Sequence, residues 1–265
     1  MLPYPHIDPV IVQIGPISIR WYGMMYLLGF VLARFLVVHR IKKTGKASVT
    51  IDEIDSLFVY LILGLVLGAR VGYVVFYDLS AYIKNPIEIF SVWHGGMSFH
   101  GGLIGSIIAG LIFTRKDKKD FWELSDLVIV AAPIGLGLGR LGNFINGELY
   151  GRVTAMPWGM VFPGGGPMPR HPSQIYELFL EGVVLFLILW SLSSKGLGPG
   201  MVTASFISFY GLFRFIAEFF REPDPQIGFI LGIFTMGQLL SALMMVFGVV
   251  ILLYRARGKT VSRTP

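Results

Sequence analysis

Apolar residues run along this chain in long blocks separated by short charged stretches. Seven blocks approach the roughly 20 mostly apolar residues that a membrane-spanning helix needs. They are Trp21–Val38, Ile54–Phe76, Met97–Phe113, Trp122–Gly139, Ile175–Leu192, Met201–Phe220 and Ile230–Tyr254. The pattern predicts an all-α, polytopic membrane protein: one integral membrane domain over residues 1–265, with about seven transmembrane helices and a small outer-face loop region. Asp78–Val92 is too short and polar to span, so segment 78–95 reads as an interfacial helix or loop. Residues 140–174 read as the outer-face loop region. Within the blocks, small residues recur every four positions, as Gly64, Gly68 and Gly72 and again as Gly101, Gly105 and Ala109. Such rows let helix backbones approach closely.

Composition supports the pattern. The chain is 54% hydrophobic and 14% charged, where a soluble domain carries about a quarter charged residues. Loop charge then orients the spans. Thirteen of the 22 lysines and arginines lie after spans one, three and five and in the C-terminal tail, against six on the opposite side and three within spans. The richer side is cytoplasmic, which puts the N-terminus outside and the C-terminus inside. The basic residues sit in loops between apolar blocks, so the net charge of +6 does not indicate nucleic acid. The Pro-rich N-terminus has no basic start before an apolar run and does not read as a secretory signal peptide. Cysteine is absent, which leaves no enzyme thiol; any thiol chemistry must use a substrate cysteine.

Charged residues inside lipid cost roughly 2.5–3.5 kcal/mol each and persist when paired, wet or functional. Arg34 lies near a cytoplasmic end and can snorkel. Arg70, in the Gly-rich face of the second span, reads equally as a structural partner or a site residue. In the sixth span Tyr210, Arg214, Glu218 and Arg221 share one helix face. Glu218 can neutralise one or both arginines, and the excess positive charge suits an anion such as lipid phosphate, which arginine grips bidentately. The fourth span ends in GLGLGRLGNFINGELYGR. Its Gly137, Gly139 and Gly142 match G-x-G-x-x-G, but the motif needs a preceding strand. The informative residues are Arg140, Asn143, Asn146, Glu148 and Gly151, which predict an unwound, polar segment near the outer surface, either lining a wet cavity or forming an ordinary outer loop.

His100 opens the third span between glycine pairs and reads as a structural histidine or as a proton acceptor. Tyr22 and Tyr26 are four apart in RWYGMMY; Tyr22 fits an aromatic belt, and the deeper Tyr26 is the better cavity candidate. HPSQIYE, which includes His171 and Glu177, begins the fifth span, with Pro172 and Ser173 as helix-start devices. The polar residues of spans one, two, three, four and six fall in the outer half. Their convergence predicts an active site opening outward or sideways into lipid.

GRLGNFINGELYGR, GGMSFHGG, RWYGMMY, HPSQIYE and YGLFRFIAEFFR, in this order and spacing, resemble the bacterial prolipoprotein diacylglyceryl transferases from about Trp21 to the last span. The resemblance implies an inner-membrane enzyme that moves the diacylglyceryl group of phosphatidylglycerol onto the lipobox cysteine thiol of a preprolipoprotein and releases glycerol phosphate. It carries over Tyr26, His100, Arg140, Asn143, Glu148, Gly151 and Arg214 as functional positions, and it implies no cofactor. His100 is then the expected general base. Arg140 and Arg214 are expected to hold the phosphate, Glu148 to orient an arginine or the loop, and Asn143 to bind the headgroup or brace the unwound segment. Asn146, Arg70, Tyr210, Glu218 and Arg221 are expected to complete the substrate cavity. No HExxH or acidic metal cluster is present.

Other classes remain as alternatives. A lipid or anion transporter would also line a cavity with arginine, but needs access from both faces; Asp126 is the main buried polar group expected in the cytoplasmic halves. A hydrolase using Ser98 and His100 would need side chains that point apart on a helix, and no G-x-S-x-G elbow is present. A structural scaffold leaves the arginine and asparagine groups unexplained.

Overall fold

The computed structural model describes residues 2–15, 17–45, 49–91, 95–223, 228–230 and 233–261. Lys46, residues 92–94 of the expected interfacial segment, residues 231 and 232 of the seventh block, and Arg263 lie outside the described residues. The chain forms two compact units, Val38–Ser125 and a second made of Met1–Val37 with Asp126–Pro265, where the apolar pattern suggests one domain.

The Val38–Ser125 unit is built on α2 (Ile51–Phe76) and α4 (Phe99–Lys116). Thr50 starts α2 with a capping box: its hydroxyl accepts from the Glu53 amide at 3.2 Å, and the Glu53 carboxylate accepts from the Thr50 amide at 2.7 Å. The two small-residue rows meet. A Cβ on Gly72 would lie 2.7 Å from the Gly101 Cα, and one on Gly105 would lie 2.8 Å from the Gly68 Cα. No side chain fits there, so the backbones themselves form the contact. Between α2 and α4 in sequence, α3 (Leu79–Lys84) and a 3-10 turn (Pro86–Phe90) occupy the expected interfacial segment, with Ile83, Ile87 and Phe90 exposed.

The other unit begins with a hairpin. Strands β1 (Val10–Ile14) and β2 (Ile17–Arg20) pair antiparallel and lead into α1 (Trp21–Thr44). A second short hairpin, β3 (Phe229–Ile230) with β4 (Phe234–Thr235), precedes α10 (Met236–Val261). The expected helical architecture holds, and among the described residues two small β-hairpins stand beside the helices. β-branched residues on both sides of Gly15-Pro16 favour the first hairpin.

The fourth apolar block is not one straight helix. It divides into α5 (Phe121–Ile129) and α6 (Ala132–Asn146), bent by 45°. Pro133 enters α6 where a missing N–H costs nothing. Helix α6 then continues through Arg140 and Asn143 to Asn146, beyond the expected point of unwinding. Gly147 ends it in the left-handed region at φ 68°. The fifth block is the continuous helix Ser173–Ser193, made of α7 (Ser173–Glu177), a π-helical turn (Leu178–Val184) and α8 (Leu185–Ser193). Gly137 and Gly182 bring α6 against the π turn, with a hypothetical Cβ on Gly137 3.1 Å from the Gly182 Cα and one on Gly182 2.9 Å from the Gly137 Cα. Val130, Leu185, Leu189 and Val202 form the apolar core that joins this helix to α9 (Met201–Ala217).

Asp126 accepts from the Gly200 amide at 2.8 Å, the Thr203 amide at 2.7 Å and the Thr203 hydroxyl at 2.6 Å. It is the N-terminal cap of α9, supplied from another helix.

Among the described residues, four helices are long and apolar enough to cross a membrane: Trp21–Lys43, Ile51–Phe76, Ser173–Ser193 and Met236–Arg257. The bent α5–α6 pair makes a fifth. The two remaining expected spans fall short. α9 has 17 residues, about 25 Å of helix. α4 has 18 but starts with polar His100 and paired glycines and ends in Arg115 and Lys116.

Candidate active site

Three helices build a buried ion cluster. Arg140 comes from α6, Arg214 and Glu218 from α9 and its C-terminal cap, and Arg221 from the turn beyond. Glu177 and Glu181 come from the facing helix. These two are separated by four residues and share one face, and Glu181 sits in the π turn. Such turns recur at functional sites.

Glu177 is the hub. Its carboxylate lies 2.7 Å from Arg140 Nε and 3.5 Å from Arg221 Nη1, and it accepts a short hydrogen bond from Arg214 Nη1. Glu181 is held more loosely, with Arg140 Nη2 at 3.4 Å and Arg214 Nη1 at 3.9 Å. Glu218 pairs with Arg214 Nη2 at 2.7 Å and accepts from the Thr235 hydroxyl at 3.0 Å. Tyr210 lies one turn from Arg214 on α9, within electrostatic reach of Glu181 and Arg140.

This corrects the expected charge excess. Three arginines face three glutamates, because the fifth block supplies two carboxylates that the sequence reading does not place in the site. Glu177 stands in the sequence as part of the helix-start motif, and Glu181 in LFLEGVV belongs to no motif at all. The signal is there all the same: two acidic residues four apart within an apolar block must find cations.

The arginines still reach outward. The side chains of Glu177 and Glu181 are 0% exposed, those of Arg140 and Arg214 are 17% and 14% exposed. The carboxylates are fully enclosed, while part of each arginine side chain remains exposed. Arg140 Nη1 makes no hydrogen bond to the described residues, so it retains donors for an anion.

Beside this cluster, α6 ends in a second constellation. Asn143 and Asn146 both donate through Nδ2 to Glu148 Oε1, at 2.9 and 3.0 Å. The αL cap at Gly147 turns the chain so that Glu148 faces back along the helix. Gln174 and Ser173, from the start of α7, donate to the Glu148 and Leu149 carbonyls at 2.6 and 3.0 Å. Tyr22 packs on Gly142, where a Cβ would meet its ring at 2.9 Å, and its hydroxyl lies 3.1 Å from that of Tyr26. The belt residue and the cavity residue of the sequence reading thus act as a pair, with Tyr22 the one against α6.

Gly151 is closely enclosed by its neighbours. Its amide donates to the His171 carbonyl at 2.9 Å, and a Cβ there would meet the Phe220 carbonyl and lie 2.7 Å from the His171 Cβ. It joins the loop after α6 to the end of α9 through a β-bridge with Arg221. Next to it, His171 Nδ1 lies 3.0 Å from the Tyr176 hydroxyl, which accepts from Trp158 Nε1 at 2.7 Å. Burial holds the His171 imidazole below its usual pKa.

His100 and Arg70 belong to the Val38–Ser125 unit. His100 is the second residue of α4, exposed, with its ring edge-on to Phe99. The Ser98 hydroxyl caps this helix by accepting from the Gly101 amide at 3.2 Å. Arg70 is 4% exposed, and its three nitrogens all donate to backbone carbonyls. Nε donates to Ile89 at 2.8 Å, Nη1 to Gly95 and Gly96 at 2.7 and 3.0 Å, and Nη2 to Glu88 and, at 3.3 Å, to Ser91. Of the two readings of Arg70, these contacts support the structural one, since every guanidinium donor is engaged by the backbone. It clamps the 3-10 turn and the glycine pair before α4.

The family described as prolipoprotein diacylglyceryl transferase matches residues 9–254. The chain is 54% identical over 256 residues to the phosphatidylglycerol–prolipoprotein diacylglyceryl transferase of Geobacter sulfurreducens, covering 97% of this chain and 98% of that one. It is 53% identical to the protein of the same name from Desulfotalea psychrophila, covering 96% of each, and 52% identical to that of Pasteurella multocida, covering 97% and 96%. With its arginine–glutamate cluster and asparagine-held glutamate inside the matched region, the chain belongs to the prolipoprotein diacylglyceryl transferase family.

Proposed function

We propose that this protein transfers the diacylglyceryl group of phosphatidylglycerol to the lipobox cysteine thiol of preprolipoproteins, the first step of lipoprotein maturation. The observation that carries the reading is the pair Arg140 and Arg214, each ion-paired to fully buried carboxylates while part of its side chain stays exposed. Preorganised cations of this kind suit a phosphate on which charge grows as a bond breaks.

In the proposed step the cysteine sulfur attacks the glycerol carbon that bears phosphate. A C–S bond forms, the C–O bond breaks, and glycerol phosphate leaves with the electron pair. His100 takes the thiol proton; a free thiol, with pKa about 8.5, needs that help near neutrality. Arg140 and Arg214 hold the phosphate and Glu218 braces Arg214. Arg221 holds Glu177 in place, and Tyr210 closes the cavity behind. Asn143 and Asn146 fix Glu148 at the rim, where Tyr26 and the headgroup meet it.

The same reading places the protein in the bacterial inner membrane with seven spans, α4 and α9 included, the N-terminus periplasmic and the C-terminus cytoplasmic. Segment 78–95 then lies along the outer interface, and the region from Gly147 to Ser173 forms the outer-face loops. The transporter alternative loses its main support, because Asp126 is engaged in capping α9.

The test is direct. Purified protein in phosphatidylglycerol-containing detergent is mixed with a lipobox peptide or its Cys→Ser variant, and products are weighed by mass spectrometry. A diacylglyceryl adduct on the Cys peptide alone, with glycerol phosphate released, is expected. No adduct from folded, lipid-binding protein would move the assignment to the transporter reading.

A further inference from the structure

With all six groups ionised, the ion cluster is neutral. Arg140, Arg214 and Arg221 supply three positive charges, and Glu177, Glu181 and Glu218 supply three negative ones. A phosphodiester arriving at the arginines adds a fourth negative charge next to side chains that are buried or nearly so. Uncompensated charge in such a place is costly, and carboxylates so placed gain a proton instead.

The geometry distinguishes which carboxylate can do so. Glu177 is shared among three arginines, with two contacts at hydrogen-bond distance. Glu218 has Arg214 at 2.7 Å and the Thr235 hydroxyl at 3.0 Å. Glu181 has only contacts at 3.4 and 3.9 Å, the longest of the three carboxylates. The charged and titratable groups facing it are Arg140 from α6, Arg214 and Tyr210 from α9, and Glu177 one turn away on its own helix. Both arginines that face Glu181 are the ones that face the lipid phosphate in the proposed function. Any shift of those guanidinium groups toward an incoming anion weakens the hold on Glu181 first.

We propose that Glu181 takes up one proton from solution when a phosphodiester anion binds at Arg140 and Arg214, an inference that rests on reading this cluster as the phosphatidylglycerol site. Protonation removes one negative charge from the cluster and leaves both arginines free to pair with the phosphate. The proton returns to solution when the anion leaves.

The experiment is a calorimetric titration of detergent-solubilised full-length protein with phosphatidylglycerol, in buffers of different ionisation enthalpy and across about pH 6 to 9. Wild-type protein is expected to take up close to one proton per lipid bound within some part of that range. There its affinity falls by up to about tenfold per pH unit, as one linked proton requires. Glu181→Gln is expected to bind with no uptake and a flat pH response, while His100→Gln keeps the wild-type uptake. Wild-type binding without proton uptake at any pH overturns the proposal, even if Glu181→Gln does not fold. So does uptake that survives in folded Glu181→Gln or vanishes in His100→Gln. A folded wild-type protein that binds no phosphatidylglycerol at all fails differently: it removes the functional reading itself, and this inference with it.

Discussion

Glu177 and Gly151 show how single residues hold this site in opposite ways. Glu177 is buried beneath three arginines, so it stabilises through charge. Gly151 stabilises by what it lacks, since the Phe220 carbonyl and the His171 side chain occupy the place of a Cβ. Gly151→Ala is expected to force these segments apart, at a cost of about 1–3 kcal/mol. Thermal unfolding in detergent will read this as a lower midpoint, accompanied by loss of transfer activity. A midpoint equal to that of wild type would show that the loop has room. Arg70 makes a second prediction at this scale. Lysine keeps its charge but has three donors on a single nitrogen and cannot reach carbonyls spread around a guanidinium. Arg70→Lys should therefore speed amide exchange in residues 85–91 and leave phosphatidylglycerol affinity within about twofold. A large loss of affinity with unchanged exchange would return Arg70 to the substrate site.

Among the elements, the helices are legible in the apolar pattern, and the contacts that make them functional are only partly so. The rows Gly64–Gly68–Gly72 and Gly101–Gly105–Ala109 form the helix contact that their spacing suggests. The face shared by Arg214 and Glu218 on α9 is also as expected. The β1–β2 hairpin escapes the pattern because a Pro-rich, strand-forming stretch next to long apolar blocks gives a weak local signal. The two carboxylates of the fifth block escape it for a further reason. Which helix faces which is a tertiary fact, and a charge count along single helices cannot see neutralisation across them. Asp126 belongs to the same class. In the sequence it looks like a buried group in need of a function, and in the fold it is the cap of a distant helix. Asp126→Ala should remove about 1 kcal/mol of stability, within a range of roughly 0.5–2. Denaturation with α9 amide exchange as the probe will show this as fraying at Met201–Ser205, while the lipid KM stays near its wild-type value. An altered lipid KM without fraying would contradict the capping role.

Across the whole molecule, one unit holds the arginine–glutamate cluster and the other is built on the glycine contact between α2 and α4. Arg140, Arg214 and their glutamates lie in the unit that holds Asp126–Pro265, together with Glu148 and its asparagines. That unit carries the proposed phosphate chemistry. The exposed apolar side chains of α1, α2, α4 and α10, such as Phe35, Leu67, Ile108 and Phe247, suit a surface solvated by lipid. The central claim is that guanidinium groups seated on buried carboxylates hold the phosphate while the glyceryl C–O bond breaks. The most direct measurement is the steady-state transfer rate to a lipobox peptide for Arg214→Gln, with Arg140→Gln beside it, in protein shown to be folded by its thermal midpoint. Loss of one such donor should lower kcat by roughly a hundred- to a thousandfold. Folded Arg214→Gln and Arg140→Gln proteins that both turn over within a few fold of wild type would contradict the account.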